Sequence, residues 1–475
     1  MQGQHKYQPK LFVQIDIEKL IPQNHFLRKI DQILDLSFVR ELTKEYYCQN
    51  NGRPSIDPEL FFRIILIGYI FNISSDRKLC EELRYNLAYR WYCKLEIDDF
   101  TPDHSSLSRI RDRYEASVFE KFFDKVVDLC KDYGLVKGER IITDGTLIEA
   151  NASIESMVSR NPSESDEAEP RTDVTAPLPS KKLSNKTHIS KTDPDSSIAK
   201  KEGTARSLKY KIHISIDADS RVILDNKVTT GGFHETQIYL DRLADIKDKY
   251  ELPILSVIAD RGYGSAENIQ FLQSENITTY IPLFSNNSGK VHQLIEQGFY
   301  YDREKDRYQC PAGLILKACN STTRILYYTK IDNCVSCNMR ITCPAKEHKG
   351  KKWRLVSRSL QQDFFEIQLS RMQEPIFQNA LRERMWKIEG INAEAKNRHG
   401  LKRAKYRGID KVQIQANMVG AVLNIKRIVA LCYALFRVMI ALITTNQPNT
   451  SRINFIQNLK LRLLIFPVRN TFLPV

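Results

Sequence analysis

The chain has 475 residues, 42% of them apolar, which is enough for two or three cored domains and excludes a disordered protein. Its 71 Lys and Arg against 57 Asp and Glu leave a net charge of +14, a surplus that gathers polyanions, DNA or RNA foremost. A basic but otherwise ordinary soluble enzyme fits the charge equally well. Ten cysteines in a chain this long make no disulfide scaffold, and the scattered Cys48, Cys80, Cys93, Cys130 and Cys432 suit buried thiols in a reducing cytosol. The opening MQGQHKYQPK lacks the apolar run of a secretory signal, so a cytoplasmic protein with no membrane partner is expected.

Residues 1–135 read as helical. Asp57 and Pro58 form an N-cap followed by a first-turn proline, and LFFRIILIGYIF behind them is apolar nearly all round, as a core helix requires. DRKLCEELRY and SSLSRIRDRYE follow as shorter helices. In the second, Leu107, Ile110 and Tyr114 share one face while Arg109 and Arg113 share another beside Ser105, Ser106 and Ser108. That pattern fits a helix packed on one side and offered to phosphates or base edges on the other; a solvated basic face is the plain alternative.

From Glu139 the pattern changes. ERIITDG reads as a short buried strand ending at Asp144. Asn151 to Arg206, rich in Ser, Pro, Asp, Lys and Thr, reads as a flexible insertion. YKIHISID alternates apolar and polar residues as a half-buried strand does, and RVILDNKVTTG returns as its hairpin partner. A helix (HETQIYLDRLADIKDKY), a strand (ILSVIAD), a helix (SAENIQFLQ) and a strand (ITTYIPL) follow. From about Ile367 the chain is helical again. Ile428 to Ile443, the most apolar stretch, is interrupted by Arg437 and too short for a membrane helix of roughly 20 residues, so it reads as a packed helix. The residues after Gln447 carry no assignable pattern.

Two acids stand at strand ends, Asp144 before Gly145 and Asp260 before RGYG. A carboxylate there is costly to desolvate unless it faces a cleft or a cation. Two at neighbouring strand ends would suit Mg²⁺ or Mn²⁺, hard cations that prefer oxygen ligands. Singly, each fits an aspartate that caps the next helix at least as well. In WKIEGINAEAKNRHGLKRAKYRG, Glu389 has Lys396 seven residues on, on the same helical face, followed by Arg398, Lys402, Arg403, Lys405 and Arg407. Such a helix offers one acid to a metal and its basic end to a phosphate backbone; as a solvated surface helix, Glu394 would serve as well as Glu389. His213 and His234 read as structural.

The motifs IITDGTLIEANAS, ADRGYGSAEN and IEGINAEAKNRHGL, with GRPSIDPELFFRIILIGYIF and TPDHSSLSRIRDR upstream, resemble bacterial insertion-sequence transposases of the DDE class over about Tyr7 to Ile428. The resemblance implies an α/β fold: a ribonuclease-H-like mixed-sheet core with an all-α N-terminal domain and a small Cys-rich insertion. It implies a helical DNA-binding domain at 1–135, a catalytic core begun at 136–283 and completed by helices at 367–446, the insertion at 284–366, and a tail at 447–475. It also selects Glu389 over Glu394, because the family pairs its glutamate with a lysine seven residues on. Related transposases often carry a tyrosine and an arginine seven and four residues before that glutamate; here those positions hold Arg382 and Met385, and Arg384 is the nearby basic residue.

The expected activity is cleavage at element ends and transfer of the freed 3′-OH into target DNA, by a homodimer on double-stranded DNA. Asp144, Asp260 and Glu389 would hold two Mg²⁺ or Mn²⁺ ions ~3.5–4 Å apart, one activating the attacking water and one stabilising the departing 3′ oxygen. Lys396, Arg398, Lys402, Arg403, Arg109 and Arg113 would contact DNA, and Arg261 and Tyr263 would position the second acid. Cys310, Cys334, Cys337 and Cys343 lie within 34 residues, fit a tetrahedral structural Zn²⁺, and compete with Cys319. The rival readings are a nuclease of the same fold that never rejoins DNA and a catalytically inactive DNA-binding descendant.

Overall fold

The structure, a computed structural model, describes residues 15–48, 51–52, 55–160, 183–200, 203, 205–284, 294, 296–319, 325–348, 350, 352–358 and 361–444, the last eight as backbone only. The tail expected over 447–475 and the stretch 161–182 of the expected insertion lie outside the described residues.

The N-terminal part is all helix: α1 (Ile17–Leu20), α2 (Phe26–Ile33), α3 (Phe38–Thr43), α4 (Pro58–Ile70), α5 (Asp76–Tyr85), α6 (Leu87–Tyr92) and α7 (His104–Asp132). α4 starts as its residues dictate. Asp57 accepts the N–H of Glu59, Pro58 sits in the first turn, and every residue from Phe61 to Ile70 is buried. Leu107, Ile110 and Tyr114 of α7 pack inward, Tyr114 edge-on to Phe61, while Arg109 and Arg113 stay exposed. α7 is broken at Glu115, whose φ of +55° no helix accommodates.

The core sheet contains β1 (Arg140–Glu149), β4 (Ser197–Ala199), β5 (Ser207–Asp217), β6 (Ile223–Thr230), β7 (Ser256–Ala259) and β8 (Thr278–Tyr280); β2 (Met157–Ser159) and β3 (His188–Ser190) pair with each other in a separate two-stranded sheet. Its order is β6–β5–β1–β7–β8, antiparallel between β6, β5 and β1 and parallel between β1, β7 and β8, as in ribonuclease H-like folds. α8 (Tyr239–Tyr250) and α9 (Ala266–Ser274) make the crossovers.

Three sequence expectations change here. β1 does not end at Asp144; it continues to Glu149, because β5 pairs with it from Ile141↔Asp217 through Glu149↔Lys209. β5 is not half-buried: His213, Ser215 and Asp217 are as covered as their apolar neighbours, since helices lie over both faces. Where 151–206 reads as a flexible insertion, its described residues form β2, β3 and β4, and β4 pairs with β5 from Ser197↔Lys209 to Ala199↔Ser207.

After β8 comes a separate antiparallel sheet of β9 (Tyr300–Asp302), β10 (Arg307–Gln309), β11 (Ile315–Cys319), β12 (Ile325–Lys330), β13 (Lys346–Glu347) and β14 (Trp353–Arg358), in the order β13–β14–β12–β11–β10–β9. It has its own core around Tyr308, Leu316, Tyr327 and Val356. The chain then returns in α10 (Gln362–Gln373), α11 (Pro375–Arg398) and α12 (Ile409–Thr444). α12 runs straight through Arg437 and is long and apolar enough to cross a membrane, yet half of its most apolar stretch is buried, against α7, β6 and α4. It also closes the sheet: Asn424 accepts from the N–H of Ile223 and donates to its carbonyl, both at 2.8 Å, and Gln413 accepts from Val228 N at 2.8 Å. Side-chain amides thus satisfy an edge that would otherwise offer unpaired backbone groups.

Candidate active site

The parallel ladder of β1 and β7 has Thr143↔Ala259 as its last pair. Asp144 and Asp260 are the next residue on each strand, so the register sets the two acids side by side at the open end of the ladder. Burial pushes the Asp144 carboxyl up to about 6, Arg384 opposing and Asp260 and Glu389 adding to the rise. Burial likewise raises Asp260, again against Arg384 and with Glu235 adding. Asp260 does cap the next turn, its Oδ1 accepting Gly262 N at 2.8 Å, so the plain reading of this aspartate holds for one oxygen.

α11 crosses this end of the sheet. Arg384 lies 3.2 Å from Asp144 Oδ1, and Asn392 donates to Asp144 Oδ2 at 3.1 Å. Lys396 donates to the carbonyl of Leu147 at 2.8 Å, which ties the helix to β1. Glu389 is exposed on the face it shares with Arg382, Met385 and Trp386, and near enough to act on Asp144. Glu394, its rival in the sequence, is bound up instead with Lys426, with Arg427 at 4.0 Å and with His399 at 3.9 Å. Arg384 places a positive charge beside the acids where Met385 has none, while Arg382 turns to Asn379.

The basic residues lie further along. Beyond α11 the chain forms a parallel bridge, Glu149↔Arg403, at the end of β1, with Ala404 N donating to Glu149 O at 2.8 Å. Arg398, Lys402 and Arg403 are exposed there, five strand positions past Asp144, on the order of 15 Å at about 3.3 Å per residue. Arg109 is exposed and bonded to Ser105, and Arg113 covers the Tyr47 ring. Arg261 is exposed, whereas Tyr263 is fully buried and shares a 3.3 Å hydrogen bond with His213 Nδ1. His213 is buried, bonded to Thr229, and pushed down to about 3 by burial; His234 bonds Thr236.

The carboxylates suit a hard cation by chemistry, and two features leave room for one. Gly145 and Gly262, beside the two aspartates, carry no side chain; a methyl group on Gly262 would press on Asp260 Oδ1 at 3.0 Å, and one on either glycine would reach contact distance of Glu235. Asn392 Oδ1 is buried without a partner although its amide donates to Asp144. Among the described residues, however, no three His, Cys, Asp or Glu side chains already stand together as a metal-holding group, and Arg384 lies on Asp144 in that place.

Of the cysteines expected to hold zinc, Cys310, Cys337 and Cys343 come near enough to act on Cys334, though among the described residues no three His, Cys, Asp or Glu side chains stand together as a metal-holding group. Burial, with those three thiols adding and Arg354 opposing, pushes the Cys334 thiol up. All ten cysteines are free thiols.

Sequence reasoning missed Glu235, Arg384's ion pair, Asn392 and the exposed Trp386. Only Arg384, noted as a nearby basic residue, left a trace in the sequence; the others carry no local pattern.

A family model described as Transposase DDE domain matches residues 138–425, and one described as Transposase domain (DUF772) matches 15–113. No curated protein matches. Among solved structures, the piggyBac transposase synaptic complex with hairpin DNA is similar at 11% identity and a TM-score of 0.33, over 94% of this chain and 80% of that one. The Mos1 mariner paired end complex with Mn is similar at 10% identity and a TM-score of 0.16, over 52% and 68%. Likeness at these scores carries no argument. The DDE-domain match, which spans more than half of the chain and both Asp144 and Asp260, does: this protein belongs to the DDE transposases and is a DNA transposase.

Proposed function

We propose that this transposase cuts DNA at the ends of its element and joins the freed 3′-OH to target DNA, using Asp144, Asp260 and Glu389 as ligands for divalent cations. The observation that carries the reading is the register of β1 and β7, which sets Asp144 beside Asp260 under the helix bearing Glu389. Transposases of this class act with Mg²⁺ or Mn²⁺, which would supply Lewis acidity at the scissile phosphate. The residues supply the rest. Asp144 and Asp260, half-buried and sharing the nearby charge of Arg384, form the fixed wall of the cleft. Glu389, exposed one helix away, completes it. Arg384 neutralises Asp144 until a cation takes its place, and then lies free to grip a phosphate oxygen.

Arg398, Lys402 and Arg403 extend a positive track beyond the cleft along which the DNA backbone runs, with Lys396 at its near end. Arg109 and Arg113 on the helical domain contact the same DNA, giving residues 1–135 their DNA-binding role. Joining two element ends calls for two active sites, hence a homodimer acting on the nucleoid in the cytoplasm. Incubating the protein with its element-end DNA in Mg²⁺ and mapping the nick tests the reading. Cleavage leaving a 3′-OH at the element boundary, abolished by Asp144→Ala and Asp260→Ala with end binding retained, is the expected result. Normal cleavage by either variant refutes it.

A further inference from the structure

A fourth carboxylate faces this cleft. Glu235 opens the short turn Glu235–Gln237 between β6 and α8. A methyl group on Gly145 would come within 3.5 Å of Glu235 Oε1, and one on Gly262 within 3.6 Å of Oε2. Gly145 follows Asp144, and Gly262 is the residue whose N–H Asp260 accepts. The Glu235 carboxyl therefore looks onto the backbone beside both aspartates. It is held there by Lys211 Nζ at 2.6 Å, and Lys211 also donates to Phe233 O at 2.8 Å. Lys211 stands opposite Leu147 in the β1–β5 ladder, so the pair is anchored to the strand beside that of Asp144.

A part-buried ion pair of this kind is a poor stabiliser, because desolvation consumes most of the attraction. Its placement has another consequence. Among the described residues, the ion pairs of Asp144, Asp260, Glu389 and Glu235 are with Arg384 and Lys211, which leaves two negative charges, the complement of one divalent cation. The buried, partnerless Asn392 Oδ1 in the same cleft is a second unmet acceptor. Lys211 holds Glu235 through Oε1, and Oε2 is the oxygen that looks toward Gly262. Mg²⁺ keeps several of its waters, and their protons need acceptors.

Resting on the reading of Asp144 and Asp260 as cation ligands, we propose that Glu235, steered by Lys211, is a positioning residue of the metal cleft that accepts a hydrogen bond from the cation's hydration shell and so sets its affinity. The test is Mn²⁺ binding to the full chain without DNA, by calorimetry or by the loss of the free Mn²⁺ resonance signal. Loss of an outer-shell partner costs about 10- to 100-fold in metal affinity, so Glu235→Gln should raise the Kd by that factor. Glu235→Asp, which keeps the charge but withdraws the carboxylate, should raise it less. The Mg²⁺ concentration for half-maximal cleavage should rise in step, with the rate at saturating Mg²⁺ nearly unchanged; a residue that merely braced the fold would lower Tm and leave the Kd alone. Asp260→Asn is the control. Wild-type Mn²⁺ affinity in both Glu235 variants, with binding lost in Asp260→Asn, overturns the role of Glu235 and leaves the carboxylate reading standing. Wild-type affinity in Asp260→Asn as well overturns both.

Discussion

Arg384 lies 3.2 Å from Asp144, one helix reaching across to the first acid of the cleft. Both side chains are largely covered, at 18% and 14% exposure, so the pair is screened less than a surface salt bridge. On the proposed reading, a cation entering the cleft would displace this guanidinium. Arg384→Met should therefore tighten Mn²⁺ binding to the DNA-free protein by about five- to tenfold, the equivalent of about 1–1.4 kcal/mol. Weaker Mn²⁺ binding in that variant would show that Arg384 supports the cation and does not compete with it.

Asp144 costs the metal-free fold stability. Its carboxyl titrates near 6 in the folded chain, above the ordinary aspartate value near 3.9, chiefly because of burial. The folded state thus holds that proton more tightly than the unfolded chain does. The penalty is full above pH 6 and fades as pH falls toward about 4. In EDTA at pH 8, Asp144→Asn should be more stable by about 1–3 kcal/mol, the leftover Arg384 charge trimming the gain, with no difference remaining near pH 4. Thermal denaturation at the two pH values checks this, and a lower Tm for the variant at pH 8 would contradict it.

Glu389 and Glu394 should separate cleanly. Glu394 is tied to Lys426, Arg427 and His399, and those cations hold its carboxyl below the usual glutamate range against the effect of burial. Glu394→Gln should cost about 1–2 kcal/mol of stability and leave cleavage at 25 °C within a few-fold. Glu389→Gln should do the reverse, abolishing cleavage with Tm unchanged, because its side chain is exposed. Denaturant melts alongside a cleavage assay decide it.

Asn424 is fully buried and satisfies both backbone groups of Ile223 at the sheet edge. Asn424→Ala strands a buried N–H and C=O and opens a small void, at a cost of about 2–4 kcal/mol. A loss under about 0.5 kcal/mol in urea melts would mean that α12 does not close the edge as described.

Local chemistry made much of this legible in advance. Asp57 and Pro58 announce α4, and a run of β-prone residues ahead of each aspartate announces β1 and β7. What stayed hidden depends on partners distant in the chain. Gly145 looks like the end of a strand until β5, more than sixty residues on, continues the pairing to Glu149. The polar face of β5 looks solvent-exposed until α8 and the turn after β7 cover it, Arg242 donating to His213 O and Ser215 and Tyr263 sharing a hydrogen bond with His213. Glu235 reads as the start of a helix but sits in the short turn before it, and only the meeting of three segments gives it meaning. The cysteine spacing suggested a zinc site, and three of those thiols lie near enough to act on Cys334, but spacing alone does not specify whether the set closes as ligands.

The most direct test of the central claim uses Fe²⁺ in place of Mg²⁺, with ascorbate and peroxide, to generate hydroxyl radicals at the bound ion and cut the nearby backbone. The account predicts three groups of cuts in the full chain, around residues 144, 260 and 389, all suppressed by excess Mg²⁺ and all lost in Asp144→Ala. Cuts confined to one of these segments, or persisting unchanged in Asp144→Ala, would contradict it.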